Sequence, residues 1–462
     1  MAARLIESLA TTDELVELFS DESVLQAMLD FEGALARAEA GVGIIPRAAA
    51  ETIMASAKAH FFDAGEISRA ALRAGTLSIP LVKALTERVR VSDPDAAGFV
   101  HWGATSQDVA DTALVLLLKR AQSIFERHLA GLETALRGLA EKHSNTVMLG
   151  RTLMQPAPPI TFGLKAAGWL GAIQRSHQRL NASFADALVV QFGGASGTVA
   201  SLGDQGIVVG QALAHGLGLI YPDAPWHTHR DRLAEVLCDC GVLAGSLGKM
   251  ARDISLLMQS EVGEVVEPGV AGRGGSSTMP HKHNPIGCSL TLAATYRVPG
   301  LVTTFLSGMT QEHERGTGGW QAEWPTVAAL IQSTGLAIAS MTEVAEGLSV
   351  NSAKMRSNIE ATRGTIFAEK AMMVLGQKLG RDTAHKLLEE ATRRSIAESR
   401  RLSEVLADTP EIALHLDAET LRNLENPEQY LGVADEFRKR LLTVRERNCH
   451  RKNPVSPGQS SR

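Results

Sequence analysis

Apolar positions recur every three or four residues along most of the chain. The clearest run lies between Asp231 and about Ser260, where Leu233, Leu237, Cys240, Leu243, Leu247, Met250, Ile254 and Leu257 share one face. A second stripe, Gly241, Ala244, Gly245 and Gly248, is small. Small side chains let another backbone approach, although glycine lowers helix propensity. A helix apolar on more than one face is buried on more than one face. A helix of this length spans roughly 45 Å, which suits a bundle better than a small domain.

The same period predicts long helices over Thr112 to His143, Phe162 to about Leu188, Ile286 to Met309 and Trp324 to Leu348. Pro299 should kink the third of these. Strand signals are sparse; only Val189 to Gly194 reads as extended, ending in the glycine-rich stretch GGASGTVASLG. Before about residue 110 the helices are shorter and broken by GVGIIP and SDPDAAG. After Asn351 they become short and charged. The pattern therefore predicts an all-α chain in three parts. These are an N-terminal helical domain (1–110), a central long-helix bundle (111–350) and a C-terminal helical domain (351–448). A polar tail (449–462) has little to bury and is expected to be disordered.

Composition narrows the class. A chain of 462 residues with 44% apolar content is globular and exceeds one typical core. A net charge of -5, with acids and bases interspersed, gives no reason to expect nucleic acid. No apolar leader opens the chain, and no apolar run of membrane length lacks a charge or a cluster of small residues. Cys238, Cys240, Cys288 and Cys449 have neither zinc spacing nor a CxxC. The expectation is a cytoplasmic enzyme. His227-x-His229 and His281-x-His283 lack a nearby carboxylate or thiol cluster, so no metal site is expected. No phosphate-binding loop, dinucleotide fingerprint or serine elbow is present.

Three segments interrupt the helical pattern with dense polar and glycine content. In HWGATSQDVADT (His101 to Thr112), Thr105, Ser106 and Asp108 sit where an N-cap belongs. Such a segment is either a helix cap with a linker or an anion site built from free N–H groups. In GRTLMQPAPPITFG (Gly150 to Gly163), Arg151, Thr152 and Gln155 lie in a proline-rich connection. That is either a rigid turn or a clamp for oxygen anions. GRGGSSTMPHKHNP (Gly272 to Pro285) reads as a glycine linker or as a ligand loop. In the second case Lys282 supplies a cation, Asn284 an amide, and Ser276 or Ser277 a nucleophile or base.

GSSTMPHKHNP resembles the signature of the fumarase/aspartase superfamily, GSSxMPxKxNP. HWGATSQDVADT and GRTLMQP resemble its other two shared segments and stand in the family's order. The strings QFGGASGTVASLG, PWHTHRDRLAE, EPGVAGRGGSSTMPHK and GWQAEWP are similar to its cycloisomerase branch. One position departs. Many lyases of the superfamily read GRTHxQ, with the histidine in acid–base work; here it is Leu153, which cannot transfer protons. That weakens the case for a lyase acting on a succinyl-type substrate and leaves any second acid or base unassigned.

The resemblance implies a three-domain fumarase/aspartase-like fold and a homotetramer with an oligomeric helical core. Its active sites would be shared between chains and its partner would be a small polycarboxylate. It implies a reaction without a cofactor, in which a carboxylate adds to a conjugated diene and closes a lactone. Charge then builds beside another carboxylate, giving an aci-carboxylate-like species. On this resemblance Ser276 becomes the proton-transfer residue, assisted by Lys282. Lys282 and Asn284 bind one carboxylate; Thr105, Ser106, Thr152 and Gln155 hold the others; His101, Arg151 and Arg315 are further contacts. The alternatives are a C–N lyase of the same superfamily releasing fumarate, and a scaffold that keeps the bundle without catalysis. The presence of Ser276, Lys282 and Asn284 speaks against the scaffold.

Overall fold

The structure, a computed structural model, describes residues 5–269, 279 and 282–451. The elements follow the apolar period closely. The N-terminal helices are α1 (Asp13–Leu18), α2 (Asp21–Gly41), α3 (Arg47–Ser56), α4 (Ala64–Ala74) and α5 (Ser78–Ser92). The long helix α6 (Ser106–Lys142) leads into strands β1 (Val147–Thr152) and β2 (Gln155–Thr161). Helices α7 (Phe162–Ala187), α8 (Gly206–Leu217), α9 (Asp231–Leu257), α10 (Ile286–Ser307) and α11 (Gly319–Gly347) complete the central part. The C-terminal helices begin with α12 (Ser352–Glu360), α13 (Ala368–Leu379) and α14 (Arg381–Glu398).

Helix starts show why the chain turns where it does. Ser20 caps α2 by accepting from the Ser23 N–H, and Asp63 caps α4 by accepting from the Glu66 N–H. Along α9, Leu233, Leu237, Cys240, Leu243, Leu247, Met250, Ile254 and Leu257 are all buried, as their period requires. The small stripe has a use within the chain. A Cβ on Gly248 would meet Thr295 of α10 at 3.0 Å, and one on Gly241 would meet Val302 at 3.3 Å. Pro299 lies inside α10, which continues through it to Ser307. Helix α11 is long and apolar enough to cross a membrane by length and composition, but 72% of its apolar window is buried in the fold.

Backbone proximity divides the chain into two compact units, each discontinuous in sequence. The first holds Met1–Ala130, Arg175–Gly248 and Ser289–Met341; the second holds Gly131–Gln174, Lys249–Cys288 and Thr342–Arg462. The boundaries fall inside long helices. The second unit has its own core, in which Val147 and Leu149 join Ile359, Phe367, Leu375, Leu388, Leu402 and Leu406.

Two local expectations change. Val189 to Gly194 forms only an isolated bridge, Val189 with Ile220, because its polar groups are consumed by side chains described below. The segment expected as a rigid turn or an oxygen-anion clamp forms a β-hairpin, with Thr152 paired to Gln155 and Val147 to Thr161. Three prolines in β2 are tolerated because a two-stranded ribbon leaves each strand a free edge. The final helix (Ala434–Arg451) carries Cys449 to Arg451, which the sequence assigned to the tail; residues 452–462 lie outside the described residues.

Candidate active site

In the first unit the polar segment His101 to Thr112 turns into the start of α6. His101 has φ 60° and Gly103 φ 71°, so the turn uses the left-handed region twice. Glycine is required at 103, since a Cβ there would sit 2.9 Å from Leu202. Thr105 occupies the N-cap position, and its N–H donates to Asp108 Oδ2 at 3.0 Å, the reach-back half of a capping box.

Asp108 is fully buried and accepts three further hydrogen bonds. They come from the Gly193 and Gly194 N–H groups (3.0 and 2.9 Å) and from His227 Nε2 (2.7 Å). The glycine-rich stretch is thus tied to α6 by a carboxylate in place of a strand partner. Ser106 accepts from Ser78 Oγ through its backbone carbonyl at 2.7 Å.

One turn further along lies a buried charge cluster. The Arg230 guanidinium donates to Asp111 at 2.8 and 3.0 Å and to Glu323 at 3.0 and 2.5 Å, and it stacks on Trp226 at 4.6 Å. Burial pulls the Arg230 guanidinium down, but the charges and hydrogen bonds of Asp111 and Glu323 outweigh it and hold Arg230 above its ordinary range. Trp320 Nε1 and Gln191 Nε2 donate to Asp111, and Gln311 Nε2 donates to Glu323. These bonds fix the base on which the accessible groups stand.

Arg315 is the accessible cation above this base. Its Nε donates to Gln107 Oε1 at 2.7 Å and its Nη1 to Thr105 Oγ1 at 2.9 Å. Gln107 is itself buried, donating to the His227 carbonyl at 2.8 Å and to Asp111 at 3.1 Å. The guanidinium is half-buried and oriented on one edge. His101 approaches the same helix start; its Nδ1 lies 2.7 Å from Glu32 Oε1 of α2. The first segment therefore brings His101, Thr105 and Arg315 to one helix start, as a cationic, hydrogen-bonding surface suited to carboxylates.

The second unit places the remaining predicted residues. Arg151 makes a two-point ion pair with the buried Glu264, at 2.9 and 2.6 Å, and Glu264 also accepts from Asn358 at 2.8 Å. The Arg151 side chain is thus committed to anchoring the hairpin. Thr152 and Gln155 are exposed at the hairpin end, flanking Leu153 and Met154, which are 97% and 67% exposed. Lys282 is exposed and Asn284 half-exposed, just before α10. Glu267 accepts from the N–H groups of Gly287 and Cys288 at 2.9 and 2.8 Å, at the start of α10. Ser276 and Ser277 lie outside the described residues.

Sequence reasoning missed Glu32, Gln107, Asp111, Gln191, Arg230 and Glu323. It also missed Lys165, whose ammonium is pulled down by burial, with Asp253 opposing and Lys249 and Arg151 adding to the fall. The signal for Glu32 was present: a carboxylate inside the apolar stripe of an amphipathic helix. Among the described residues, no group of three or more His, Cys, Asp or Glu is placed to hold a metal.

Residues 7–300 match the profile of the lyase family, and residues 364–441 that of the adenylosuccinate lyase C-terminus. The chain belongs to this lyase family, within the fumarase/aspartase superfamily. Among individual relatives, it is 48% identical to the 3-carboxy-cis,cis-muconate cycloisomerase of Bradyrhizobium diazoefficiens, over 93% of this chain and 95% of that protein. The crystal structure of the 3-carboxy-cis,cis-muconate lactonizing enzyme from Pseudomonas putida superposes with a TM-score of 0.91 at 46% identity, covering 96% and 99% of the two chains. A nitrosuccinate lyase of Streptomyces davaonensis is 40% identical over 90% of this chain and 89% of its own length.

Proposed function

We propose that this protein is a cycloisomerase that converts 3-carboxy-cis,cis-muconate to a carboxymuconolactone, a step in the breakdown of protocatechuate. Similarity to the cycloisomerases runs across nearly the whole chain, and Leu153 carries the choice within the family. At the tip of the hairpin, where succinyl-type lyases of the superfamily present a histidine, this chain presents an aliphatic side chain. A β-elimination that needs an acid there has none; a lactonisation does not need it.

In this reaction a substrate carboxylate oxygen attacks the diene and forms the C–O bond. The electron pair moves to the carbon beside another carboxylate, which becomes dianionic in character, and that carbon then takes up one proton. Donors aimed at the growing charge lower the barrier most. Thr105, Ser106, Arg315 and His101 form one such surface, Thr152 and Gln155 a second, Lys282 and Asn284 a third, with Ser276 transferring the proton. Arg151 serves by holding the hairpin. Intramolecular attack gains its rate from an enforced substrate conformation. The three segments would meet from different chains of a homotetramer in the cytoplasm.

The test is the loss of diene ultraviolet absorbance when the purified protein meets 3-carboxy-cis,cis-muconate, with Ser276→Ala as control. Turnover by the wild type, with loss in the variant, is expected. Fumarate released from nitrosuccinate or adenylosuccinate, with no diene consumed, would overturn the reading in favour of a C–N or related lyase.

A further inference from the structure

Helix α2 carries two carboxylates inside its buried face, Glu32 at 1% exposure and Glu39 at 0%. Buried carboxylates are costly unless paired or neutral. The two solve the problem differently. Neither oxygen of Glu39 has a hydrogen-bond partner, so Glu39 keeps its proton. Glu32 Oε1 faces His101 Nδ1 at 2.7 Å, and its other oxygen has no partner. A buried carboxylate with one partner, and that partner an imidazole, is an arrangement for keeping the imidazole charged.

His101 is shaped for the same end. Its side chain keeps 19% exposure while Glu32 is enclosed. Its backbone sits at φ 60°, a conformation that costs a non-glycine residue and persists only where surroundings enforce it. The Nδ1 bond to Glu32 fixes the ring, so Nε2–H is left as the donor on its accessible edge. The ring lies at the same helix start as Thr105 and Arg315.

We infer that Glu32 is a positioning residue that holds His101 as an imidazolium, whose Nε2–H binds the substrate carboxylate where charge develops during ring closure. This rests on the cycloisomerase reading for its substrate, but the ionisation of His101 does not. The groups that act on the ring are Glu32 of α2 and Asp108 of α6. Burial pulls the imidazole down, but the charge and hydrogen bond of Glu32, joined by Asp108, outweigh it and leave it above the ordinary histidine range. Only one of the two α2 carboxylates need be charged, because Glu39 is pushed up to about 9 by burial and by Glu32.

The experiment uses the full chain labelled with 13Cε1-histidine, with the His101 resonance assigned by its loss in His101→Asn. In the wild type His101 should titrate above the ordinary histidine value, and in Glu32→Gln it should titrate lower. The alkaline limb of the kcat profile for diene consumption should move down in pH with it. At neutral pH kcat should fall by tenfold or more, in line with about 10²–10³ for loss of one transition-state donor, while KM changes less. Glu32→Asp should restore part of both. A wild-type His101 that titrates at or below the ordinary value overturns the inference, whether or not the variant folds. So does a Glu32→Gln protein with wild-type titration and profile. If no diene is consumed by the wild type, the substrate reading fails, and the titration still decides the role of Glu32.

Discussion

At the scale of single residues, the first unit is organised by charges placed where water does not reach. Glu39 makes the consequence measurable. Its carboxyl, pushed up to about 9 by burial and then by Glu32, stays protonated in the folded chain, while the unfolded chain releases that proton above the ordinary carboxylate value of 4.5. The folded state therefore binds more protons throughout that interval. The stability tied to Glu39 is fully present below pH 4.5 and is lost as pH rises towards about 9. The slope approaches about 1.4 kcal/mol per pH unit. Glu39→Gln keeps the neutral shape and removes the ionisation. Urea midpoints of the two proteins should coincide near pH 4.5 and separate in favour of the variant as pH rises. Parallel curves would show that Glu39 is ionised in the fold. The sequence displayed Thr105 and Asp108 because they stand in a recognisable string. It showed Glu32 only as a carboxylate in an apolar stripe and hid its role, and that of Gln107, because their partners lie at sequence separations of 69 and 208 residues, which no local period records.

At the scale of elements, the long helices were legible because burial and the 3.6-residue period are the same fact seen twice. Asp231 begins α9 and Phe162 begins α7, where the pattern placed them. The hairpin was not legible. Its prolines argue against a strand, and its turn uses residues that dislike the turn. Leu153 and Met154 have φ of 48° and 68°, the double positive φ of a tight hairpin turn that Asn-Gly would fill without strain. Residues held this way cost about 1–3 kcal/mol each. The chain tolerates the cost at a tip where two apolar side chains face outward. Leu153→Asn combined with Met154→Gly should therefore raise stability by about 1–3 kcal/mol in denaturant unfolding, and should lower diene turnover by removing the apolar tip. A variant less stable than the wild type would mean that Leu153 and Met154 are held by contacts made in an assembly, which the substitution would break.

At the scale of the whole molecule, the exposed side of α9 bears on assembly. Its small stripe divides by function. Gly241 and Gly248 are consumed against α10, whereas a Cβ on Gly245 meets nothing within 4 Å. Val242, on the same exposed side, is 50% exposed. A row of a valine and a glycine facing outward on a long helix suits close approach by another helix, and the proposed homotetramer supplies one from a second copy. Gly245→Glu tests this without disturbing the single chain, because the new side chain has room and a helix accepts glutamate better than glycine. The wild type should behave in light scattering as four chains of 49.3 kDa each. The variant should keep its helical content, scatter as a smaller species, and lose diene turnover together with the assembly, since segments from different chains would no longer meet. A variant that stays tetrameric and active would place the contact elsewhere. A variant that dissociates yet remains active would show that one chain suffices, and the shared-site part of the proposal would then fall.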